Sequence, residues 1–369
     1  MSPWLSRPFS RLRQGATAVI QETDAVVIGA GPVGLFQVFQ LGLQGLSTHI
    51  VDALPYAGGQ CVELYGDKPI YDIPGIPVCT GHELAARLTQ QIAPFQPQWH
   101  LGTQVASIQP QADGRFAVTT SQSAQLIARA VFIAAGVGAF VPRALKVEGI
   151  DAFAGTQLFY QHLPPASQLQ GQRLVVHGGD DAAVACAIQA ATSAEGAAAS
   201  VALLHRRDVF NAPPDQLAQL QALRDGGRIE AVVGQITGIV REGERLAALQ
   251  TLTPEGAEQT VPVDVLVVAL GVSPRLGPIA DWGLAMERKQ LVVDTATFST
   301  SVAGIYAVGD IITYPGKRKL ILCGFHEATL AAFAAAEALS GKPVVLQYTT
   351  SSTHLHQLLG VGAAGIDNG

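Results

Sequence analysis

The sequence predicts an α/β protein with two Rossmann-like, three-layer ββα domains, one of which is inserted into the other. Apolar strands alternate with helices along the chain, which favours parallel sheets covered by helices. A strand–turn–helix unit that starts at Val26 returns in altered form at Arg173, which indicates a duplicated domain. With 369 residues, 48% of them hydrophobic, the chain is long enough to form two cores.

The first unit opens on an apolar strand, Asp24–Gly29, which is followed by a helix over Pro32–Gln44 and a second strand over Ser47–Val51. A polar loop is expected over Asp52–Thr80 and a helix over Gly81–Ile92. The order strand, helix, strand is that of a β–α–β unit, whose strands lie parallel in one sheet.

Further apolar runs, bounded by glycine and proline, continue this pattern through the second copy and back to the first domain. The segments expected are short strands near Gln98–Gln109 and Arg115–Thr120, apolar strands that end in turns at Phe132–Arg143 and Asp264–Pro278, and an alanine-rich helix, His326–Leu339.

Domain boundaries are placed where the pattern stops and restarts. They give an N-terminal extension over 1–21, expected to be disordered, a discontinuous first domain over 22–140 and 280–345, an inserted domain over 141–279, and a C-terminal extension over 346–369.

Composition argues against several classes of protein. The net charge of -6 argues against a nucleic-acid binder. The most apolar run, Ala25–Leu46, is interrupted by glutamines and glycines, so no membrane span is predicted. The four cysteines form no CxxC pair, so no metal site is predicted and a reducing, cytoplasmic location is expected.

The first strand-to-helix turn has the GxGxxG pattern of a dinucleotide-binding domain. Gly29 permits a tight turn, Gly31 lets a pyrophosphate approach the backbone, and Gly34 lets the helix pack against the strand. The N–H groups at the helix N-terminus favour a phosphate there. Asp52, at the end of the next strand, is an acid of the kind that accepts from ribose hydroxyls.

The second turn is a variant of the first. Aligned by motif, it offers Gly178, Gly179 and, at the third small position, Ala182, with His177 in place of the first glycine. A histidine tolerates such a turn poorly if its φ is positive. The next strand ends in cationic side chains that suit the 2′-phosphate of NADPH rather than NADH: His205, Arg206 and Arg207.

These motifs together resemble the two-dinucleotide-binding pyridine-nucleotide flavoproteins, in particular their thioredoxin-reductase branch. The segments "GGQCVELYGDKPIYDIPGIP" (Gly58–Pro77), "HRRDVF" and Val308-Gly309-Asp310 carry the likeness. The CATC dithiol of thioredoxin reductases is missing before the second turn. The chain is therefore most similar to the thioredoxin-reductase-like ferredoxin–NADP reductases, which lack the dithiol and add a C-terminal extension, here "QYTTSSTHLHQLLGV".

The resemblance implies two cofactors, FAD and NADPH, with the NADPH domain inserted into the FAD domain. The FAD contacts that it implies are Gly29, Gly31, Gly34, Asp52, Gln60, Tyr65, Val105, Phe140, Asp310 and Ser351. Tyr65 would stack on one face of the flavin. An aromatic residue of the C-terminal extension would cover the other face, with Tyr348 the first choice, His356 the second and His354 the third.

The implied reaction passes a hydride from NADPH to flavin N5 and then single electrons to ferredoxin or flavodoxin. A homodimer is expected from the resemblance. The helix that starts near Gly324–His326 would stabilise negative charge on the reduced flavin. The basic cluster Lys317–Lys319 would dock an acidic ferredoxin.

Two other functions stay open on the sequence. One is a thiol or small-molecule NADPH reductase without a CxxC motif that uses Cys61 beside the flavin. The other is a non-catalytic FAD-binding redox sensor, which the substitution at His177 motivates.

Overall fold

The computed structural model describes residues 20–193 and 197–361 and divides them into two units. The described residues up to Ala139, with those from Arg275 onward, form the first unit, and Phe140–Pro274 form the second. The predicted N-terminal extension, except for its last two residues, and the last eight residues of the C-terminal extension lie outside the described part of the chain.

The first unit is built on a seven-stranded sheet. Its strands follow the spatial order Gln98–His100, Thr48–Val51, Gln21–Ile28, Gln125–Ile133, Phe116–Thr120 and Val105–Pro110, and Ile305–Ala307 pairs with Gln125–Ile133 as well. The strands around Gln21–Ile28 are parallel, with Val27 opposite Ile50 on one side and Phe132 on the other. Short strand pairs complete the unit: Pro69–Ile70 with Cys79–Thr80, and Met286–Glu287 and Ile312–Thr313 on either side of Gln290–Val292.

Helices cover the first sheet and also form the connections. They are Pro32–Leu43, Gln60–Tyr65, Gly81–Ile92, Ile321–Ser340 and Thr353–Leu358, with 3₁₀ turns at Ala93–Phe95, Gly277–Asp281 and Gly309–Ile311. The long helix, Ile321–Ser340, contacts Pro32–Leu43, and the rings of Phe36 and Phe325 lie 4.7 Å apart between them. Four alanines of the long helix are fully buried: Ala328, Ala331, Ala332 and Ala335.

The second unit has a five-stranded parallel sheet. The strand order is Leu158–Tyr160, Val265–Val268, Arg173–His177, Ser200–His205 and Glu230–Val233. The helices Ala166–Leu169, Asp181–Thr192 and Pro214–Asp225, the 3₁₀ turn Ile150–Phe153 and an antiparallel sheet of Gln235–Glu242, Arg245–Leu252 and Glu258–Pro262 complete it. The crossover segments Ala139–Pro142 and Val272–Arg275 pair with each other where the chain passes between the units.

Local sequence signals explain several element boundaries. Helix Gly81–Ile92 begins with a capping box: Thr80 Oγ1 accepts from Glu83 N–H (3.2 Å), and Thr80 N–H donates to Glu83 Oε2 (2.9 Å). Helix Pro32–Leu43 begins with a proline, whose fixed φ suits the first helical position.

Two expectations about elements were wrong. Asp52–Thr80 is not all loop, since it contains helix Gln60–Tyr65 and the short strand pair. The alanine-rich helix begins at Ile321, five residues before His326. Its N-cap is Leu320, which has no capping side chain, so no polar residue marks this start in the sequence.

Within the described ranges, no helix combines the length and the apolar character needed to cross a membrane. The same residues contain no group of three or more His, Cys, Asp or Glu side chains arranged to hold a metal ion.

Candidate functional site

The first glycine turn is shaped by three close backbone approaches. Gly29 has a φ of 111°, and a Cβ on it would lie 2.3 Å from Ala134 O. Ala134 in turn donates its N–H to Ile28 O (2.8 Å). A Cβ on Gly34 would lie 1.8 Å from Gly29 O. No residue other than glycine fits either position, so the sequence of this turn fixes how tightly the helix meets the strand.

Gly31 is packed against Gly59. A Cβ on it would meet Gly59 Cα at 3.9 Å, an ordinary van der Waals distance. Gly31 is also the N-cap of helix Pro32–Leu43, whose first N–H groups have no partners within the helix. The turn therefore presents unpaired N–H groups at a helix N-terminus beside a residue without a side chain, which favours a pyrophosphate there.

Asp52, which directly follows the next strand, holds this turn through backbone hydrogen bonds. Its Oδ2 accepts from Ala30 N–H (2.6 Å) and its Oδ1 accepts from Leu54 N–H (2.8 Å). Burial raises the pKa of Asp52, although the two backbone hydrogen bonds act in the opposite direction. The carboxylate thus has a structural task that the sequence did not reveal, in addition to the ribose contact predicted for it.

The GGQ segment lies against the same turn. Gly58 N–H donates to Ala30 O (2.8 Å), and a Cβ on Gly59 would lie 2.9 Å from Gly31 Cα. The amide Nε2 of Gln60 lies 2.9 Å from the position that a Cβ on Gly136 would take. The motifs "GAGPVG", "GGQ" and "AAGVG", separated in sequence, are therefore neighbours in space.

Tyr65 ends the short helix that follows this segment. Its hydroxyl lies 3.4 Å from Cys61 Sγ, and the ring is partly buried against the core. Burial raises the pKa of Tyr65 and of Cys61, and the charge of Asp310 raises both further. Asp310 therefore lies close enough to this pair to interact with it. Both groups keep their protons at neutral pH.

Val33, the second residue of helix Pro32–Leu43, contacts two further segments. A Cβ on Gly324, in the long helix, would lie 2.3 Å from Val33 Cγ2, and one on Gly309 would lie 3.4 Å from Val33 Cγ1. Gly309 has a φ of 82°, a conformation that favours glycine. The segments "VGD" and "LCGFHEA" thus pack on the glycine turn.

Two residues that sequence reasoning missed hold the Asp310 segment in place. Glu327 is fully buried and accepts from Gly309 N–H (2.7 Å) and Tyr314 Oη–H (2.8 Å), and it forms an ion pair with Lys317. Gln290 Nε2 donates to Asp310 O (3.1 Å). The motif "LCGFHEA" contains Glu327, but its partners come from another segment, so the sequence alone did not reveal this role.

This arrangement corrects the predicted basic cluster. The side chain of Lys317 is only 7% exposed because it is paired with Glu327. Arg318 and Lys319 are exposed. A docking surface in this loop would therefore use these two side chains, without Lys317.

The second glycine turn has a different register from the predicted one. Ala269 N–H donates to His177 O (2.8 Å), and a Cβ on Gly178 would lie 2.2 Å from Ala269 O. His177 therefore matches Ile28, the last residue of the first strand, and Gly178 matches Gly29. The prediction that His177 replaces the first glycine was wrong.

The shift by one residue changes the other positions too. Asp180 is the N-cap of the helix after the second turn, as Gly31 is of the helix after the first. A Cβ on Gly178 would lie 2.7 Å from Ala183 Cβ, so Ala183 takes the third small position instead of Ala182. The site residue predicted at Ala182 was displaced by the same error. The second turn carries a carboxylate at the N-cap, where the first turn has a glycine.

His177 is accommodated without strain. As the last residue of strand Arg173–His177 it does not adopt a positive φ. Its Nδ1 lies 3.1 Å from Leu204 O, so Nδ1 carries the proton. Burial lowers the pKa of His177, and the neighbouring His205 lowers it further. The imidazole is neutral at pH 7.

The predicted cationic residues lie beside the second turn. The His205 ring covers Gly179, where a Cβ would lie 2.6 Å from the ring, and His205 Nδ1 lies 3.0 Å from Arg207 O. Arg206 and Arg207 are exposed, and neither guanidinium has a hydrogen-bond or ion-pair partner within the described part of the chain. Both are positioned to receive an anion.

The remaining predicted site residues lie in several different segments of the chain. Val105 is buried at the start of its strand, and Phe140 is the first residue of the second unit. Tyr348 is 65% exposed, and its carbonyl accepts from Ser351 N–H (3.1 Å). No aromatic ring in the ranges 20–193 and 197–361 stacks on Tyr65 or Tyr348.

The C-terminal extension is anchored to the first unit by a short helix, Thr353–Leu358. Leu355 is buried, and this helix contacts Pro32–Leu43. His356 Nε2 donates to Thr349 O (2.6 Å), so its imidazole is hydrogen-bonded to the segment just before this helix. His354 is exposed.

Two glycine turns on separate α/β units define a class of protein that handles two nucleotides. A family model described as "Pyridine nucleotide-disulphide oxidoreductase" matches residues 23–337, and the chain belongs to this family of oxidoreductases.

Curated relatives specify the branch. A protein named "Ferredoxin--NADP reductase" from Verminephrobacter eiseniae (strain EF01-2) is 65% identical over 347 residues, which cover 93% of this chain and 98% of that protein. A protein of the same name from Paracidovorax citrulli (strain AAC00-1) is 64% identical over 351 residues, with 93% and 98% covered. The predicted membership of the ferredoxin–NADP reductase family is confirmed.

Solved structures agree on the fold. A thioredoxin reductase from T. acidophilum has a TM-score of 0.55 at 23% identity, with 87% of this chain and 99% of that chain covered. A bacillithiol disulfide reductase from Staphylococcus aureus has a TM-score of 0.56 at 18% identity and the same coverage. The predicted two-domain α/β fold is confirmed. The family uses FAD and NADPH, as the sequence predicted.

Proposed function

We propose that this chain is a flavoenzyme that transfers electrons between NADPH and ferredoxin or flavodoxin, with FAD in the first unit and NADPH in the second. The observation that carries the proposal is the cradle at Gly31: a glycine at a helix N-terminus with unpaired N–H groups, packed against the GGQ segment and next to Ala30, whose N–H donates to the Asp52 carboxylate. The residues present fit the pyrophosphate and ribose of FAD.

Within the first unit, Gly29 and Gly34 shape the turn, Gly31 admits the pyrophosphate, and Asp52 braces the loop and accepts from the adenosine ribose. Asp310 binds on the ribityl side, and Gln60 and Tyr65 approach the flavin ring. Val105 contributes through backbone or packing contacts, and so does Phe140, which is the first residue of the second unit. Ser351 is the contact from the C-terminal extension. FAD, when bound, would supply the redox chemistry: acceptance of a hydride from NADPH and release of electrons one at a time.

Within the second unit, Gly178 shapes the turn and Gly179 lies under the His205 ring. Arg206 and Arg207 take the 2′-phosphate, because a guanidinium pairs with phosphate through two parallel hydrogen bonds. The shifted register supports a nucleotide site whose turn has Asp180 in place of the second glycine and Ala183 in place of the third.

The names of the relatives support ferredoxin as the acceptor, since ferredoxin is what those proteins are named for. Arg318 and Lys319 are exposed in the loop that follows Asp310 and would attract an acidic partner. We place the docking surface there.

The C-terminal extension supports a homodimer. Val345 is 80% exposed, Leu346 57% and Tyr348 65%, so these three side chains at the start of the extension have little cover within the described part of the chain. In the proposed dimer, Tyr348 covers the flavin face opposite Tyr65, with His356 and His354 as the alternatives. The hydrogen bond from His356 to Thr349 favours Tyr348 for this role, because it holds the His356 ring against the segment just before its own helix.

The alternatives find less support. Cys61 is buried, and burial raises its pKa, so it stays a thiol and is a poor nucleophile. The sensor hypothesis depended on a damaged first glycine at His177, and Gly178 takes that position.

The proposal is tested by the substitution of both cationic residues, Arg206→Ala with Arg207→Ala. Loss of two phosphate contacts should raise KM for NADPH by about 10- to 100-fold and leave KM for NADH nearly unchanged. The assay is NADPH- or NADH-dependent reduction of cytochrome c through added ferredoxin. Arg245→Ala removes an exposed arginine of the same unit and serves as the control, with KM unchanged for both. Equal effects on the two nucleotides would contradict the proposed 2′-phosphate site.

A further inference from the structure

Glu327 is the most deeply buried charged side chain that the proposed cofactor contacts leave unused. It has no solvent exposure and accepts from three donors, Gly309 N–H, Tyr314 Oη–H and Lys317 Nζ–H. A buried carboxylate is costly unless it is paired and fully hydrogen-bonded, so this arrangement indicates a specific task.

The three donors come from one segment. Gly309 precedes Asp310 directly, and Tyr314 and Lys317 follow it within seven residues. Glu327 thus ties both ends of the Asp310 segment to helix Ile321–Ser340. The same helix reaches the first glycine turn through Gly324, which packs on Val33.

The charges of Glu327 and Lys317 balance. The side chain of Lys317 is 7% exposed and that of Glu327 is fully buried, so neither charge is screened by water. Tyr314 stays a neutral donor, because burial and the adjacent Glu327 carboxylate raise its pKa.

We propose that Glu327 is a positioning residue for FAD, and that its pairing with Lys317 keeps the buried charge beside the flavin at zero. This inference rests on the proposed location of FAD in the first unit. Glu327 acts through Gly309 and Asp310, and Lys317 cancels its charge.

Reduction adds negative charge to a bound flavin, so an unbalanced buried charge nearby changes how readily it is reduced. A net positive charge favours the reduced form and a net negative charge opposes it. Removal of each partner should therefore shift the midpoint potential in opposite directions, whereas removal of both should restore it. Loss of a merely structural contact would produce no such reversal of sign.

The test uses the FAD-loaded protein and four variants: Glu327→Gln, Lys317→Met, the double variant, and Tyr314→Phe as a control that removes one hydrogen bond without a change of charge. The FAD dissociation constant and the midpoint potential are measured for each. We expect Glu327→Gln to weaken FAD binding about tenfold and to raise the potential. Lys317→Met should lower the potential. The double variant should bind FAD weakly at a potential close to that of the wild type, and Tyr314→Phe should leave the potential unchanged.

Shifts of the same sign in both single variants, or no shift in either, would overturn the inference. If Glu327→Gln does not fold, Lys317→Met and the double variant decide: a potential that stays low in the double variant is evidence against charge balance. A wild-type protein that takes up no FAD would overturn the proposed function together with this inference. A wild type that holds FAD, with variants that behave like it, would overturn this inference alone.

Discussion

Asp180 is the residue at which the two glycine turns differ most. It caps the helix after the second turn, in the position that Gly31 has in the first. Gly31 has no side chain, whereas Asp180 places an exposed carboxylate at the helix N-terminus, and that carboxylate makes no capping hydrogen bond. A pyrophosphate that approaches this helix therefore meets a like charge.

We predict that Asp180→Gly tightens binding of both NADPH and NADH about tenfold, because the pyrophosphate is common to the two nucleotides and one repulsive charge is removed. Glycine is tolerated at an N-cap, so the helix should lose little stability. Dissociation constants from fluorescence titration measure the effect. Asp181→Asn removes a neighbouring charge from the same helix end and should change the affinity less. Unchanged or weaker binding in Asp180→Gly would mean that the carboxylate does not face the nucleotide.

For single residues, the sequence was informative where the residue type required at a position is set by neighbours in the chain. Gly29 and Gly34 were identified by spacing, and the contacts of the turn explain why glycine is required. The burial of Lys317 depends on Glu327, ten residues away on a helix whose start the sequence did not mark. A run of three basic residues looks like an exposed patch until its tertiary partner is known.

Asp264, which directly precedes strand Val265–Val268, bonds to Arg173, the first residue of the neighbouring strand in the second unit. Its carboxylate accepts from Arg173 N–H (3.0 Å), Nε (2.8 Å) and Nη2 (2.9 Å). These bonds from Arg173 lower the pKa of Asp264 from 3.8 to about 2, against the effect of burial. The side chain is 15% exposed, so the interaction is partly protected from solvent.

Asp264→Asn should destabilise the second unit by about 1–2 kcal/mol at pH 7. Because the folded-state pKa lies below the unfolded one, this contribution is present above about pH 4 and is lost as the pH falls towards 2. Urea unfolding at pH 7 and at lower pH measures it. Asp208→Asn breaks a more exposed ion pair with Arg224 and should cost less than about 1 kcal/mol. An Asp264→Asn variant as stable as the wild type at pH 7 would show that Arg173 gains nothing from the pairing.

At the scale of helices and strands, the predicted boundaries agree with the observed ones where the local sequence signals are strong. Helix Gly81–Ile92 was predicted with its observed bounds, and in the structure a capping box formed by Thr80 and Glu83 marks its start. Helix Gln60–Tyr65 was missed, since it begins after Gly59, which has a φ of 53° and no capping side chain. The register of the second turn was also missed, because His177 and Gly178 can be told apart only by the strand pairing of their neighbours.

At the scale of the molecule, each unit has its own sheet and its own buried cores. The division of labour that we propose follows from this: the unit with the Gly31 cradle retains FAD, and the unit with Arg206 and Arg207 exchanges NADPH. The sequence could predict the two units because each carries its own glycine turn. It could not show how the motifs of the first unit gather around Val33, since those contacts join segments almost 300 residues apart.

In the proposed function, the flavin would accept a hydride from NADPH, and its two electrons would then pass one at a time to ferredoxin with release of the proton. Anaerobic stopped-flow mixing of the FAD-loaded protein with NADPH, followed by ferredoxin, tests it most directly. We predict rapid loss of the oxidised flavin absorbance with NADPH, a slower loss with NADH, and then reduction of two equivalents of one-electron ferredoxin for each NADPH consumed. Flavin that stays oxidised in the presence of NADPH, or reduced flavin that leaves ferredoxin oxidised, would contradict the account.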